Sequence, residues 1–353
     1  MVTLKKDVKF GNLLPIPTTP VDKLTKIARV NEEAGFNSIW APDHLLFVPP
    51  GTVPEAWTIL TAVAMVTTKA MIGTCVTDPH RYHPAVLAQR IATVDHVSAG
   101  RVILGLGAGE AMNLEPFGIR WNSPVSKLIE TVTIMRKLWT GEISSYEGKF
   151  WNLREAFLQI KPVQSRLPIY FGANSPRMLR LTGEMADGWL PTPLSPELYK
   201  NRLKIVEEGA KMAGRSIDEI DMGVYLYTSI ADRAEDAYKQ LETMKPMIVP
   251  YPPLLKESGY DVDLPKEISS LSYPELLPTG EWIEKFLRYG ELIPTEAAVD
   301  FSIAGTVEQC IDKIEKFIKA GARHFVLVNM GPNPRQVMEI YGREIIPHFR
   351  KEF

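Results

Sequence analysis

Two short stretches of this chain carry side chains suited to proton chemistry at positions where a fold must go out of its way to hold them. The run Ser38-Ile-Trp-Ala-Pro-Asp-His44 is apolar until it ends in an acid and an imidazole. The run Arg101-Val-Ile-Leu-Gly-Leu-Gly-Ala-Gly-Glu110 is apolar until a glycine-rich turn delivers a carboxylate. A histidine changes charge near neutral pH, and a neighbouring carboxylate can fix its tautomer, so Asp43-His44 suits a general acid or base. Asp43 also suits a plain helix cap. Glu110 is a second proton-handling group or, more simply, a solvated loop carboxylate. Charged groups at the tips of apolar strands are costly to bury, and parallel strands closed into a barrel present such groups at one rim.

Three further stretches join them. Thr74-Cys75-Val76 ends an apolar strand pattern with residues fit to pack against a flat ring or to fill a core. His80, Arg81 and His83 follow and read as caps for the helix that Pro84 begins. Ala173-Asn174-Ser175-Pro176 joins a strand to a helix: Ser175 suits an N-cap, and the free N–H groups there, with Arg177 beside them, suit an anion. Tyr225 and Tyr227 read as wall residues. The glycines before Glu110 do not form a Rossmann fingerprint, because Pro116 and Gly118 interrupt the helix such a motif requires. No spacing of Cys or His suggests a metal.

These residues need a scaffold, and the pattern along the chain supplies one. Strand-like runs begin at Val8, Asn37, Met71, Arg101, Leu167, Gly188, Met222 and His324, with helical patterns between them and a closing helix from Pro334 to Phe349. Eight continuously apolar strands separated by helices predict a parallel sheet covered on both faces, and the count predicts a closed (β/α)8 TIM barrel with insertions at its C-terminal rim. Residues 1–353 read as one domain, with 244–303 an insertion between the seventh strand and the eighth unit. Its stretch 244–282 is rich in proline, Pro250, Pro252, Pro253 and Pro265 among them, and is either a plain excursion or a lid over the rim.

The chain has 353 residues, 45% apolar and 23% charged, with net charge −2. This balance gives no electrostatic reason to expect nucleic acid or an anionic membrane as partner. The two cysteines, Cys75 and Cys310, cannot build a disulfide framework and read as reduced thiols. The first residues lack the apolar stretch of a signal peptide, and the apolar segment from Trp57 to Val66 is too short to span a bilayer. The expectation is a soluble, cytoplasmic protein acting on a small molecule.

Taken together, four stretches resemble the luciferase-like barrel superfamily, in its branch that uses the deazaflavin coenzyme F420. They are Trp40-Ala-Pro-Asp-His44; Thr74-Cys-Val76 with Arg81-Tyr-His-Pro-Ala-Val-Leu-Ala-Gln89; Gly107-Ala-Gly-Glu-Ala-Met-Asn113; and Phe171-Gly-Ala-Asn-Ser-Pro176 with Ala186-Asp-Gly188. The first and third are similar to the secondary-alcohol and glucose-6-phosphate dehydrogenases of that branch. Phe117-Gly-Ile-Arg-Trp121, Pro124-Val-Ser126 and Phe301-Ser-Ile-Ala-Gly-Thr306 are similar to methylenetetrahydromethanopterin reductase.

The resemblance implies hydride transfer between the deazaflavin and a small or C1-carrying substrate, with His44 and Glu110 at the reactive carbon. Asp43 would lie beside the ring. Cys75-Val76 would form a cis peptide behind it, flanked by Thr74. Ala108, Gly109 and Asn113 would line the coenzyme, while Ala173, Asn174 and Ser175 would bind its phosphate. Tyr227 and Thr192 would line the substrate pocket. A homodimer is implied. The resemblance also leaves an FMN-dependent monooxygenase and a non-catalytic coenzyme-binding barrel as alternatives. Departures bear on the substrate: Val48 replaces the dehydrogenases' tryptophan, Asp300 and Leu194 or Ser195 fall where the sugar-phosphate enzyme keeps basic residues, and the first strand offers Asn12 where the reductase has a glutamate.

Overall fold

A computed structural model describes residues 7–16, 18–47, 51–269 and 280–352. Val48 and residues 270–279 of the proline-rich stretch lie outside the described residues.

Eight strands close into a parallel barrel: β1 (Lys9–Leu13), β2 (Ser38–Ala41), β3 (Met71–Thr74), β4 (Val102–Gly107), β7 (Ile169–Gly172), β8 (Gly188–Trp189), β9 (Asp221–Ile230) and β11 (His324–Asn329). Neighbours pair in that order. β11 returns to β1 through Lys9↔His324 and the three pairs that follow, which leaves the ring without an edge. β2 and β4 are buried along their whole length, as strands covered on both faces must be. Helices α1 (Val21–Glu33), α2 (Ala56–Val66), α3 (Pro84–Val97), α4 (Pro124–Trp139), α5 (Pro176–Met185) and α6 (Pro196–Met212) follow successive strands.

Alternation divides the core in two. Outward-facing residues such as Phe10, Ile39, Leu104 and Phe325 join the helices in a large outer cluster. Leu13, Trp40, Ile103, Tyr170, Leu190 and Val326 fill the barrel itself. Below them, at the N-terminal end, the Asp221 carboxylate meets Lys9 Nζ at 2.9 Å, His324 Nδ1 at 3.2 Å and the Tyr170 hydroxyl. Ser38 Oγ bonds His324 Nε2 and accepts from Trp40 Nε1, each at 2.7 Å. Burial opposes ionisation of Asp221, but the His324 hydrogen bond and charge, Lys9 and Tyr170 outweigh it and hold the carboxyl below its usual range. That end is a closed polar plug, which leaves the opposite rim for chemistry.

The structure adds elements absent from the sequence reading. β5 (Ser144–Glu147) and β6 (Asn152–Ala156) form an antiparallel hairpin after α4. β10 (Ser302–Gly305) pairs with Tyr227–Ile230, the part of β9 that runs past β8. The described part of the insertion is largely helical: after α7 (Ala234–Leu241) come α8 (Lys245–Ile248), α9 (Pro252–Glu257), α10 (Lys266–Ser269), α11 (Gly280–Gly290) and α12 (Thr295–Asp300). Three of the prolines start these short helices rather than forbid them: Pro246 lies in the first turn of α8, and Pro252 and Pro253 open α9. α13 (Val307–Lys319) leads into β11. The closing helix is α14 (Pro334–Ile340) and α15 (Ile346–Glu352), joined by a π turn at Tyr341–Ile345. Among the described residues no helix is long and apolar enough to cross a membrane, and no three His, Cys, Asp or Glu gather as a metal site.

Candidate active site

At the C-terminal rim the ends of β2 and β4 bring the two suspected stretches together through Asn113, in the turn after Glu110. Its Oδ1 accepts from the backbone N–H groups of Leu45 and Leu46, each at 2.8 Å. Those two donors fix which way the amide faces, so its Nδ2 is the group 3.2 Å from His44 Nδ1 and 3.3 Å from Glu110 Oε2. Asn113 is 4% exposed and satisfied on both sides. His44 and Glu110 are half-buried and hang from one amide, with Phe47 packed 5.5 Å from the imidazole.

Asp43 is buried and does not cap a helix. Its Oδ1 pairs with Arg81 Nη1 at 2.9 Å, its Oδ2 accepts from the Thr77 hydroxyl at 2.7 Å, and its main-chain carbonyl accepts from Arg81 Nη2 at 2.7 Å. Burial raises its pKa, against the opposing pull of Arg81 and Thr77. Arg81 Nε completes its set on Asp78. On the same turn His80 Nε2 donates to the Ala108 carbonyl at 3.1 Å, while its Nδ1 accepts from Lys127 Nζ at 3.2 Å. Trp121 Nε1 also donates to the Ala108 carbonyl, and Gly109 then turns the chain toward Glu110 against the His80 ring. Of the three residues read as helix caps only His83 caps α3, accepting from Ala85 N–H. His80 and Arg81 brace the two arms of the site.

The peptide between Cys75 and Val76 is cis, as the resemblance implied. Cys75 and Val76 keep exposed surface while Thr74 and Thr77 on either side have none, so the bulge stands out as a small apolar shelf. Two glycines of β4 make room for it: a Cβ on Gly105 would lie 1.8 Å from the Thr74 carbonyl oxygen, and one on Gly107 2.6 Å from Val76 Cγ2. The glycine-rich run before Glu110 thus serves the shelf. Thr74, expected at the coenzyme, has its hydroxyl on the Gly105 carbonyl and shows no surface to a ligand.

After β7, Ser175 caps α5 by accepting from Met178 N–H. Ala173 is buried, its carbonyl accepting from Trp189 Nε1 at 2.9 Å. Asn174 Oδ1 accepts from Arg202 Nη1 at 3.3 Å, and Arg202 Nη2 pairs with Glu257 on α9 at 3.0 Å. Arg202, in the middle of α6, was not singled out from the sequence, where it is one charge among many on an amphipathic helix. Ser175 and Arg177 are exposed beside it. A helix N-terminus with a serine and two guanidiniums suits a phosphate.

On the far side, Tyr227 directs its hydroxyl at Met247 Sδ of α8, 3.6 Å away, and packs edge to face on Tyr225 at 5.8 Å. Burial pushes the Tyr227 phenol up to about 12. Thr192, just past β8, is half-buried and makes none of these contacts. Asn12, by contrast, shares the outward face of Phe10 and Leu14, because Leu13 faces the barrel interior; its Oδ1 is buried without a partner. It does not stand in for a mouth-facing acid. Asp300 is tied down by Tyr260 Oη at 2.6 Å and Lys313 Nζ at 3.2 Å; Leu194 is buried and Ser195 caps α6.

The model of the luciferase-like monooxygenase family matches residues 8–324. The 5,10-methylenetetrahydromethanopterin reductase of Methanopyrus kandleri is 32% identical, over 98% of this chain and 99% of its own. An F420-dependent glucose-6-phosphate dehydrogenase of Microbacterium testaceum is also 32% identical, over 98% of both. Among solved structures, the coenzyme F420 dependent tetrahydromethanopterin reductase from Methanopyrus kandleri superposes with a TM-score of 0.84 at 31% identity, covering 97% of this chain and 99% of that one. An F420-dependent secondary alcohol dehydrogenase, in complex with an F420-acetone adduct, gives 0.83 at 27%, covering 98% and 99%. With the family model spanning nearly the whole barrel and both carboxylate and imidazole converging at its rim, the chain belongs to the luciferase-like monooxygenase family.

Proposed function

We propose that this chain is a coenzyme F420-dependent oxidoreductase that moves a hydride between the deazaflavin and a small or C1-carrying substrate. The observation that carries the reading is the convergence of His44 and Glu110 on Asn113 beside the Cys75-Val76 shelf.

The residues present fit such a coenzyme. Cys75 and Val76 offer apolar surface to one face of a flat ring, and Ser175, Arg177 and Arg202 offer donors to its phosphate. When bound, the deazaflavin supplies the two-electron hydride chemistry, and the protein supplies orientation. The shelf would back one face of the ring, and His44 and Glu110 would act at the other. Holding hydride donor and acceptor carbons near contact distance contributes much of the barrier reduction. His44 hydrogen-bonds the substrate heteroatom, and Glu110 handles the accompanying proton. Tyr227 and Thr192 line the substrate pocket, and α8, whose Met247 meets the Tyr227 hydroxyl, is the lid beside it. No basic side chain occupies the Asp300 or Ser195 positions, which disfavours a sugar phosphate. The active species is a homodimer, which light scattering tests.

The deciding experiment is a panel of methylene-pterin, secondary alcohols and aldehydes with reduced and oxidised deazaflavin, on wild type, His44→Ala and Glu110→Ala. Turnover in the wild type that falls at least 100-fold in both variants supports the assignment. Turnover surviving both substitutions removes it. Oxygen consumption with reduced flavin instead would mark a monooxygenase, and binding without turnover a binding barrel.

A further inference from the structure

We infer that Asn113 is a positioning residue that sets the tautomer of His44, so that the imidazole presents an N–H and not a lone pair to the substrate. The inference rests on the functional reading of the rim for its consequences, but not for the tautomer itself.

The orientation of the Asn113 amide follows from two backbone donors. Leu45 and Leu46 both point N–H groups at its Oδ1 from 2.8 Å, so the other end is the NH2. One of its hydrogens points at Glu110 Oε2 and the other at His44 Nδ1. A hydrogen on Nδ1 would face that N–H head on. The neutral ring therefore accepts at Nδ1 and carries its proton on Nε2, which has no hydrogen-bond partner among the described residues. Neither Asp43 nor Arg81 competes for the ring, because their polar atoms are engaged with each other, Thr77 and Asp78.

An N–H at the mouth selects what it meets. It binds a carbonyl oxygen or an imine-type nitrogen, the form of a substrate that accepts hydride, and polarises the adjacent carbon toward attack. It offers no lone pair to take the proton from an alcohol or amine. The substrate class that fits is thus a neutral carbonyl or imine-type acceptor. Substrate reduction is the favoured direction, with Glu110 the group placed for the proton.

Nitrogen NMR on histidine-labelled protein reads the tautomer without coenzyme or substrate, with the His44 signals assigned by their loss in His44→Gln. The expected result is a protonated Nε2 and a bare Nδ1 in the wild type. In Asn113→Asp the carboxylate still accepts from Leu45 and Leu46 and shares one proton with Glu110, 3.3 Å away, so the oxygen that faces the ring accepts from Nδ1 and the ring proton moves there. The ratio of carbonyl-reduction to alcohol-oxidation kcat should then fall at least tenfold. A wild-type His44 protonated on Nδ1, or evenly mixed, overturns the inference whether or not the variant folds. So does an Asn113→Asp protein that folds and keeps the wild-type tautomer. Absence of any deazaflavin turnover would instead overturn the proposed function while leaving the tautomer result to stand.

Discussion

Arg81 offers the sharpest quantitative test of how the site is held. Its side chain is 6% exposed, and its partners Asp43 and Asp78 are 1% and 7% exposed. Replacing it with Met keeps much of the buried volume but strands two carboxylates that water cannot reach. Removing one partner from a buried pair costs about 3–5 kcal/mol, and the lost bond to the Asp43 carbonyl adds about 1 kcal/mol. Against a total stability of about 5–15 kcal/mol, a loss of about 4–6 kcal/mol is severe, and survivable in all but the lowest part of that range. The loss should depend on pH. Burial already holds the Asp43 carboxyl above its ordinary 3.8, so the folded state binds that proton more tightly than the unfolded chain. Such a group favours the fold at low pH and loses that advantage as pH rises through the folded value. Without Arg81 the folded value climbs further, and the deficit against wild type should be larger at pH 8 than at pH 4. Urea unfolding at the two pH values, followed by far-UV circular dichroism, measures it. Because Arg81 also holds the main chain beside His44, kcat should fall about 100-fold, the scale expected for a displacement of ~1 Å. A folded Arg81→Met protein less than about 1 kcal/mol weaker than wild type, with no pH trend, would refute the bracing role.

Other expectations follow from the same contacts. Asp221→Asn should cost about 3 kcal/mol at neutral pH. The wild-type carboxyl is held low, so its stabilisation is present above 3.8 and is lost as pH falls through the depressed folded value; the variant should lack that part of the acid transition in a pH series of thermal melts. Gly105→Ala should fail to accumulate as soluble protein, since its Cβ would meet backbone at 1.8 Å; normal yield and melting would show that the shelf yields easily. Arg202→Ala should weaken binding of the phosphate-bearing deazaflavin about tenfold, or about 1.4 kcal/mol, and reduce its salt dependence in a fluorescence titration. Unchanged affinity would place the phosphate elsewhere.

The barrel was legible because its strands announce themselves. A run such as Val102–Leu106 is apolar on every residue, and a strand covered on both faces is written that way. The candidate pair His44 and Glu110 was legible because charge at the end of such a run is conspicuous. What escaped lacks those signals. β10 has four residues and reads only as a fragment before a helix. The hairpin β5–β6 alternates half-buried with exposed residues at a surface, so little apolar pattern marks it. Apart from α11, the described helices of the insertion run four to six residues, too short to show a sustained period. Arg81 was read as a cap because local sequence reports neighbours along the chain, whereas its partner Asp43 comes from another loop. Asn113 was noticed only through resemblance, since its value lies in three bonds reaching back to the stretch after β2 and one to Glu110.

The Cys75-Val76 shelf has a wider consequence. It is built from barrel strands with no slack: glycines on β4 whose replacement meets backbone or Val76, and threonines sealed behind it. The segment that carries α8 and α9 meets the rim differently: Met247 touches Tyr227, Glu257 pairs with Arg202 of α6, and Ile248, Val249, Leu254 and Leu255 are buried in the outer cluster. One side of the rim is thus built into the barrel strands, whereas the other rests on a segment added between α7 and β10. Exchanging that segment is the change to the rim that leaves the packing of the shelf itself untouched.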